Sequence, residues 1–164
     1  MADSEVRRAQ LSDAAEIARI QLLTWRTAYT QILPASVLTG LDEAQATEQW
    51  ATAIRAGHSV LIALEGSWRV GFAAFAVMGK TVEIGPLLVE PRWGRRGHGS
   101  RLLAACIDLS REGGANKGIM WIPQQDSVTE SFLTSAGWGL DGRRRTLDTG
   151  DGLVQEAALQ TVFE

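Results

Sequence analysis

The chain has 164 residues, 45% hydrophobic and 21% charged, with a net charge of −3; this fits one globular domain and excludes the basic face of a nucleic-acid binder. Its single cysteine, Cys106, excludes an internal disulfide framework and fits a reducing compartment. Residues 1–5 lack a signal-peptide pattern, and the longest apolar run, 71–79, falls far short of the ~18 residues of a membrane helix, so a cytoplasmic protein without a membrane partner is expected.

Residues 6–10 alternate as a short strand. Ser12 and Asp13 are placed to cap a helix, with Glu16 answering from the first turn. Ala14, Ile17, Ala18, Leu22, Trp25 and Tyr29 recur at helical spacing, and Leu33-Pro34 should stop that helix. A short helical piece at 35–40 follows. Asp42 then opens a helix that Gly57 ends. Residues 59–64, 68–78 and 81–89 read as an antiparallel meander. Gly85-Pro86 weakens the third strand and predicts a bulge or interrupted ladder there. A helix over 97–112 and a strand over 118–123 come next. A short helix capped by Asp126 or Ser127 runs to about Ser135. Two last strands, from 137 towards Leu147 and over 154–163, flank a turn at 148–152. The strand–loop–helix–strand unit at 81–123 implies a parallel pair. The expected architecture is α+β: a mostly antiparallel twisted sheet of about seven strands, a central parallel pair and helices on both faces. No linker or repeat divides residues 1–164.

The chemistry concentrates at 89–103, where a strand runs into a glycine–arginine loop and then a helix. Gly94, Gly97 and Gly99 let the backbone approach a ligand closely. The free N–H groups of the helix start make the junction an anion site. Arg92, Arg95, Arg96 and Arg101 concentrate positive charge on an acidic chain, which argues for one anionic ligand. The spacing lacks the Gly-Lys-Ser/Thr of a phosphate-binding NTPase loop, and Leu102 stands where a dinucleotide fingerprint needs a small residue.

Leu87-Leu88-Val89-Glu90-Pro91, followed by Arg95-Arg96-Gly97-His98-Gly99-Ser100, resembles motif A of the GCN5-related N-acetyltransferases (GNAT). The element order resembles their fold along essentially the whole chain. The family spacing of Gln or Arg, two residues, Gly, one residue, Gly or Ala falls on Gly94, Gly97 and Gly99, with glycine in the first place. The resemblance implies acetyl-CoA as co-substrate and no metal. Leu87, Leu88 and Val89 would bond the pantetheine arm. Arg95, Arg96, Gly97, His98, Gly99 and Ser100 would hold the pyrophosphate. The later family motif, Asn then Ala, Tyr and Gly-Phe, aligns with 126–138. Asp126 stands for the Asn, and Leu133 replaces the tyrosine that often protonates the leaving thiolate. Trp25-Arg26-Thr27-Ala28-Tyr29 with Ile32-Leu33-Pro34 also resembles a subgroup whose first helical region borders the acceptor pocket, which makes Trp25 and Tyr29 substrate-binding candidates.

Acetyl transfer from the thioester needs a neutral amine, a polarised carbonyl and an exit for thiolate. Glu83 is the candidate base, read equally as a solvated strand residue, and a water chain is its alternative. The Leu88 N–H, by family analogy, would polarise the carbonyl. His98 is expected to face solvent beside the phosphates, Cys106 to fill core, and Trp50, Trp68 and Trp138 to pack. Arg143, Arg144 and Arg145 read as a solvated face. The expected activity is transfer of acetyl to a primary amine, small or on a protein, by direct attack in a ternary complex. The alternatives are another acyl-CoA donor or a non-catalytic acyl-CoA sensor. Exposed strand edges leave a homodimer open.

Overall fold

The computed structural model describes residues 3–150 and 152–163; residue 151 of the expected last turn lies outside them. Seven strands form one sheet in the order β1-β2-β3-β4-β5-β7-β6. They are β1 (Ser4–Arg8), β2 (Ser59–Glu65), β3 (Trp68–Met78), β4 (Thr81–Val89), β5 (Lys117–Pro123), β6 (Gly139–Asp148) and β7 (Leu153–Val162). Every neighbouring pair is antiparallel except β4–β5, which is the expected parallel pair. The helices are α1 (Ala14–Ala28), α2 (Ala35–Thr39), α3 (Glu43–Arg55), α4 (His98–Glu112) and α5 (Ser127–Ser135). None among the described residues is long and apolar enough to cross a membrane.

Strand β2 explains why helices cover both faces. Its five central residues, Val60 to Leu64, are all apolar and buried, so alternation sends an apolar row to each side. Val60 and Ile62 pack with Ile17 and Ile20 of α1 and with Phe72. Leu61 and Ala63 belong to the other cluster, with Leu102, Leu103 and Cys106 of α4 and Leu133 of α5. The β3–β4 ladder brings the two backbones close: a Cβ on Gly71 would lie 2.9 Å from the Leu88 carbonyl oxygen, so only glycine fits. Further along, Ala73 pairs with Leu87 but Phe75 pairs with Ile84. Gly85 and Pro86 therefore stand opposite the single residue Ala74, which makes the expected bulge, and the peptide bond between them is cis.

Two expectations need correction. Asp13 holds the N-cap position of α1, but its side chain makes no capping hydrogen bond to that helix. Residues Leu11–Asp13 form a 3-10 turn, and the Asp13 side chain is fully buried. It accepts from Arg7 of β1 at 2.8 Å, from Arg69 of β3 at 2.6 Å and from the Gln10 backbone N–H at 2.7 Å. Two guanidiniums and an amide replace water around this carboxylate, so it serves as an ion-pair hub. Trp68 does not pack in the core. It opens β3 beside the Gly66 turn with 59% of its surface exposed. Its ring stacks on Trp93 at 6.3 Å, with the Arg92 guanidinium 5.7 Å from it. Trp138 is buried as expected, and half-buried Trp50 packs edge-on against Phe72 while donating to Gln21.

Burial alone would push the Asp13 carboxyl up, but hydrogen bonds from Arg7, the Gln10 amide and Arg69 outweigh it and hold it at about 2. A carboxyl depressed in the folded state adds stability above its unfolded value of 3.8 and loses it as pH falls through 2. Asp13→Asn is expected to lower the unfolding free energy at pH 7 by about 2–3 kcal/mol. Urea titrations at a series of pH values should show that deficit shrinking as the medium is acidified from about pH 4 to about pH 2. Cys106 is buried in the core, and burial pushes its thiol up to about 12. An aromatic disulfide reagent at pH 8 should label it only after denaturant unfolds the protein.

Candidate active site

Strands β4 and β5 are bonded only over the first residues of each, Thr81, Val82 and Glu83 against Lys117, Gly118 and Ile119. Beyond that β4 follows β3 and β5 follows β7, so the two strands part. From Ile84 onward β4 has no ladder partner on its β5 side. The gap opens as a cavity of about 360 Å³. Glu83, Leu87 and Leu88 of β4 line one wall, and Met120, Trp121 and Ile122 of β5 the other. Trp25 of α1, Tyr29 just past its end, and Leu33 and Val37 close it on the helical side. Arg145, Leu147, Val154 and Glu156 of the β6–β7 hairpin complete it.

The end of β4 leads into the glycine–arginine loop. Residues Pro91–Trp93 form a 3-10 turn. Arg95 at φ 62° and Gly97 at φ 83° then take left-handed conformations on either side of Arg96. Alternation of this kind turns successive N–H groups towards one point, an anion-binding nest. Gly97 is the N-cap of α4, and its carbonyl accepts the Arg101 N–H at 3.0 Å. The N–H groups of His98, Gly99 and Ser100 belong to the open first turn. Gly97 is also confined sterically, because a Cβ there would meet the Arg101 guanidinium at 3.0 Å.

Polar side chains brace the loop from below. Glu65, at the end of β2, accepts from Arg96 and from His98 Nε2, both at 2.9 Å. Arg101 donates to His98 Nδ1 and to the Arg96 carbonyl, both at 3.0 Å. Arginine only donates, so the network assigns Nδ1 as acceptor and puts the imidazole hydrogen on Nε2, facing Glu65. Glu90, 3% exposed, accepts from Arg19 of α1 at 3.1 Å and forms an ion pair with Arg92 at 2.7 Å.

Over the gap, Tyr29 ties α1 to α5. Its hydroxyl donates to Asp126 Oδ2 at 2.9 Å. Asp126 also caps α5, accepting the Thr129 N–H at 3.1 Å and the Thr129 hydroxyl at 2.6 Å. Burial, then the Asp126 charge and the bond to it, push the Tyr29 hydroxyl well above the ordinary phenol range. Across the cavity, Arg145 Nε donates to Glu156 at 2.7 Å, and the Arg145 guanidinium lies 4.4 Å from the Trp121 ring.

The structure thus brings Trp25, Tyr29, Glu83, Leu87 and Leu88 around one cavity, while half-buried Val89 leads on to the loop. Glu83 is half-buried, with no hydrogen-bond or ion-pair partner among the described residues. Arg95, Arg96, Gly97, Gly99 and Ser100 form the loop and helix start. His98 is the correction. Its ring does not face solvent: it is 1% exposed, because Glu65 and Arg101 occupy both nitrogens beneath the loop. Only its backbone N–H remains available to an anion. Arg145 is likewise more than a solvated side chain, since it pairs with Glu156 in the cavity wall. Leu133 is fully buried in the core. Glu65, Glu156 and Thr129 carry no local sequence signal of a role. The Arg145–Glu156 pair is nonetheless countable, because their strands run back in register from the turn, with Asp148 opposite Leu153 and Arg145 opposite Glu156.

Residues 20–132 match the family described as Acetyltransferase (GNAT) family. An uncharacterised N-acetyltransferase of Bacillus subtilis, YuaI, is 28% identical over 127 residues, which span 74% of this chain and 72% of that protein. Among solved structures, a GCN5-related N-acetyltransferase from Rhodopseudomonas palustris superposes with a TM-score of 0.80 at 21% identity, covering 99% of this chain and 98% of that one. The PaiA N-acetyltransferase of Thermoplasma acidophilum, solved in complex with coenzyme A, gives a TM-score of 0.78 at 15% identity, covering 98% and 99%.

Proposed function

The chain belongs to the GNAT acetyltransferase family, and on that premise we propose that it transfers acetyl from acetyl-CoA to a primary amine by direct attack in a ternary complex. The observation that carries this reading is the gap between β4 and β5, whose open strand edge runs straight into the left-handed loop at the start of α4. A pantetheine arm carries amides that pair with such an edge as an added strand would. Leu87, Leu88 and Val89 are its proposed partners. The pyrophosphate then falls on the N–H groups of His98, Gly99 and Ser100 at the positive end of α4, with Arg95 and Arg96 beside it.

In the reaction the amine nitrogen attacks the thioester carbonyl carbon, the C–S bond breaks, and one amine proton must leave. Glu83 takes that proton, directly or through water; its side chain lines the cavity and is not engaged elsewhere. The Leu88 N–H donates to the developing oxyanion. Leu133 cannot protonate the thiolate, being a buried hydrocarbon. Tyr29 is a poor donor too, with its proton committed to Asp126. The thiolate therefore leaves unassisted or takes a proton from water, which a thiol of ordinary pKa, ~8.5, tolerates. Holding amine and thioester together supplies much of the remaining acceleration. Its single cysteine fits a reducing compartment, and the cytoplasm is its proposed place of action.

Calorimetry with acetyl-CoA and CoA, followed by thiol release across an amine panel, tests the reading. Binding with release on one amine class supports it; binding without release on any amine favours a sensor. Gly97→Trp should weaken CoA binding about 100-fold by closing the nest; its Cβ also meets the Arg101 brace at a left-handed φ, so the thermal transition falls as well, and binding is compared at a temperature where the variant is folded. Unchanged affinity would displace the pyrophosphate site. Glu83→Gln should lower kcat/KM about 100-fold near pH 7, with the deficit closing as pH approaches the amine pKa of ~10 and the base becomes unnecessary. A parallel pair of pH–rate profiles would remove Glu83 from the mechanism.

A further inference from the structure

We propose that the Arg145–Glu156 ion pair, seated on Trp121 in the cavity wall, excludes acceptors that carry a carboxylate beside the amine and selects primary amines with an apolar or aromatic body. This rests on the acetyltransferase reading and deepens it to a substrate class.

Among the described residues, three charged side chains line the cavity: Glu83, Arg145 and Glu156. Behind Tyr29 stands a fourth, the buried carboxyl of Asp126. Among the described residues, one cation thus stands with three carboxyl groups, and its Nε is given to one of them. Arg145 sits directly opposite Glu156 in the ladder and gives it the Nε hydrogen at 2.7 Å, while its plane lies against the indole of Trp121. Glu156 is 8% exposed, so drawing Arg145 towards a substrate would leave a buried carboxylate uncompensated. The remaining Arg145 nitrogens could reach an incoming carboxylate only by setting two carboxylates on one guanidinium.

The position of Glu83 sharpens the exclusion. An amine that attacks a thioester held along Leu87 and Leu88 delivers its nitrogen near Glu83. In an α-amino acid the carboxylate hangs one carbon from that nitrogen, which brings a second negative charge close to Glu83. A simple amine places only carbon there. The rest of the wall, Trp25, Leu33, Val37, Leu147 and Val154, offers an apolar or aromatic body its counterpart.

The test compares 2-phenylethylamine with phenylalanine, which differ only by the carboxylate. Binding of each is measured by calorimetry at pH 8, with and without saturating CoA. 2-Phenylethylamine should bind at least about tenfold more tightly, and Glu156→Gln, which releases Arg145, should narrow that ratio about tenfold. Equal or tighter binding of phenylalanine overturns the proposal, as does absence of binding by both. A ratio unchanged in E156Q overturns the part assigned to the ion pair. If E156Q fails to fold, the wild-type ratio decides. The CoA titration on the same samples reports separately on the acetyltransferase reading: loss of CoA affinity undermines that reading, whereas normal CoA affinity with a preference for phenylalanine undermines only this one.

Discussion

The parting of β4 from β5 after Glu83 is the constraint on which the rest depends. A parallel ladder begun at Thr81 would ordinarily continue, since each unpaired buried N–H or carbonyl is costly. Here the Gly85-Pro86 bulge turns β4 off that course. Pro86 has no N–H to give, and Gly85 has no side chain to pack. The consequence is an open strand edge facing a cavity, with a base candidate at its inner end and an anion nest at its outer end. Neither would be useful without the other, and the strand geometry sets the distance between them.

Buried acids hold the surroundings of that gap in place. Asp13 joins β1 to β3, Glu65 joins β2 to the loop, Glu90 joins α1 to the loop, and Asp126 joins α1 to α5. Three of the four meet arginine, whose rigid fork bonds a carboxylate in a defined orientation. An acidic chain with an arginine-rich loop is thus not a contradiction. Part of the positive charge at 92–101 braces the loop from within: Arg92 meets Glu90, Arg96 meets Glu65, and Arg101 meets His98.

The parts legible in the sequence are those whose signal is local. β3 and β4 occupy the expected spans because apolar alternation and the Gly66 and Gly79 turns lie within a few residues of each other. The glycine loop and the cap at Asp126 are legible for the same reason. What could not be read depends on distant partners. His98 looks solvent-facing in its own segment, and its burial follows from Glu65, 33 residues away. Tyr29 and Asp126 are 97 residues apart. Asp13 has the sequence context of a helix cap, and only the sheet, by bringing Arg69 beside it, makes it a hub.

The β6–β7 hairpin lies at the far edge of the sheet, and residues 139–162 fall outside the stretch that matches the family. The hairpin nonetheless supplies a wall of the cavity. The loop and the open edge of β4 lie inside that stretch, so one cavity draws its walls from within it and from beyond it. Side chains exchanged along the hairpin would reshape one wall and leave the nest and the open edge as they are. On the proposed function, such exchanges would alter which amine the cavity receives without touching the elements proposed to hold the co-substrate.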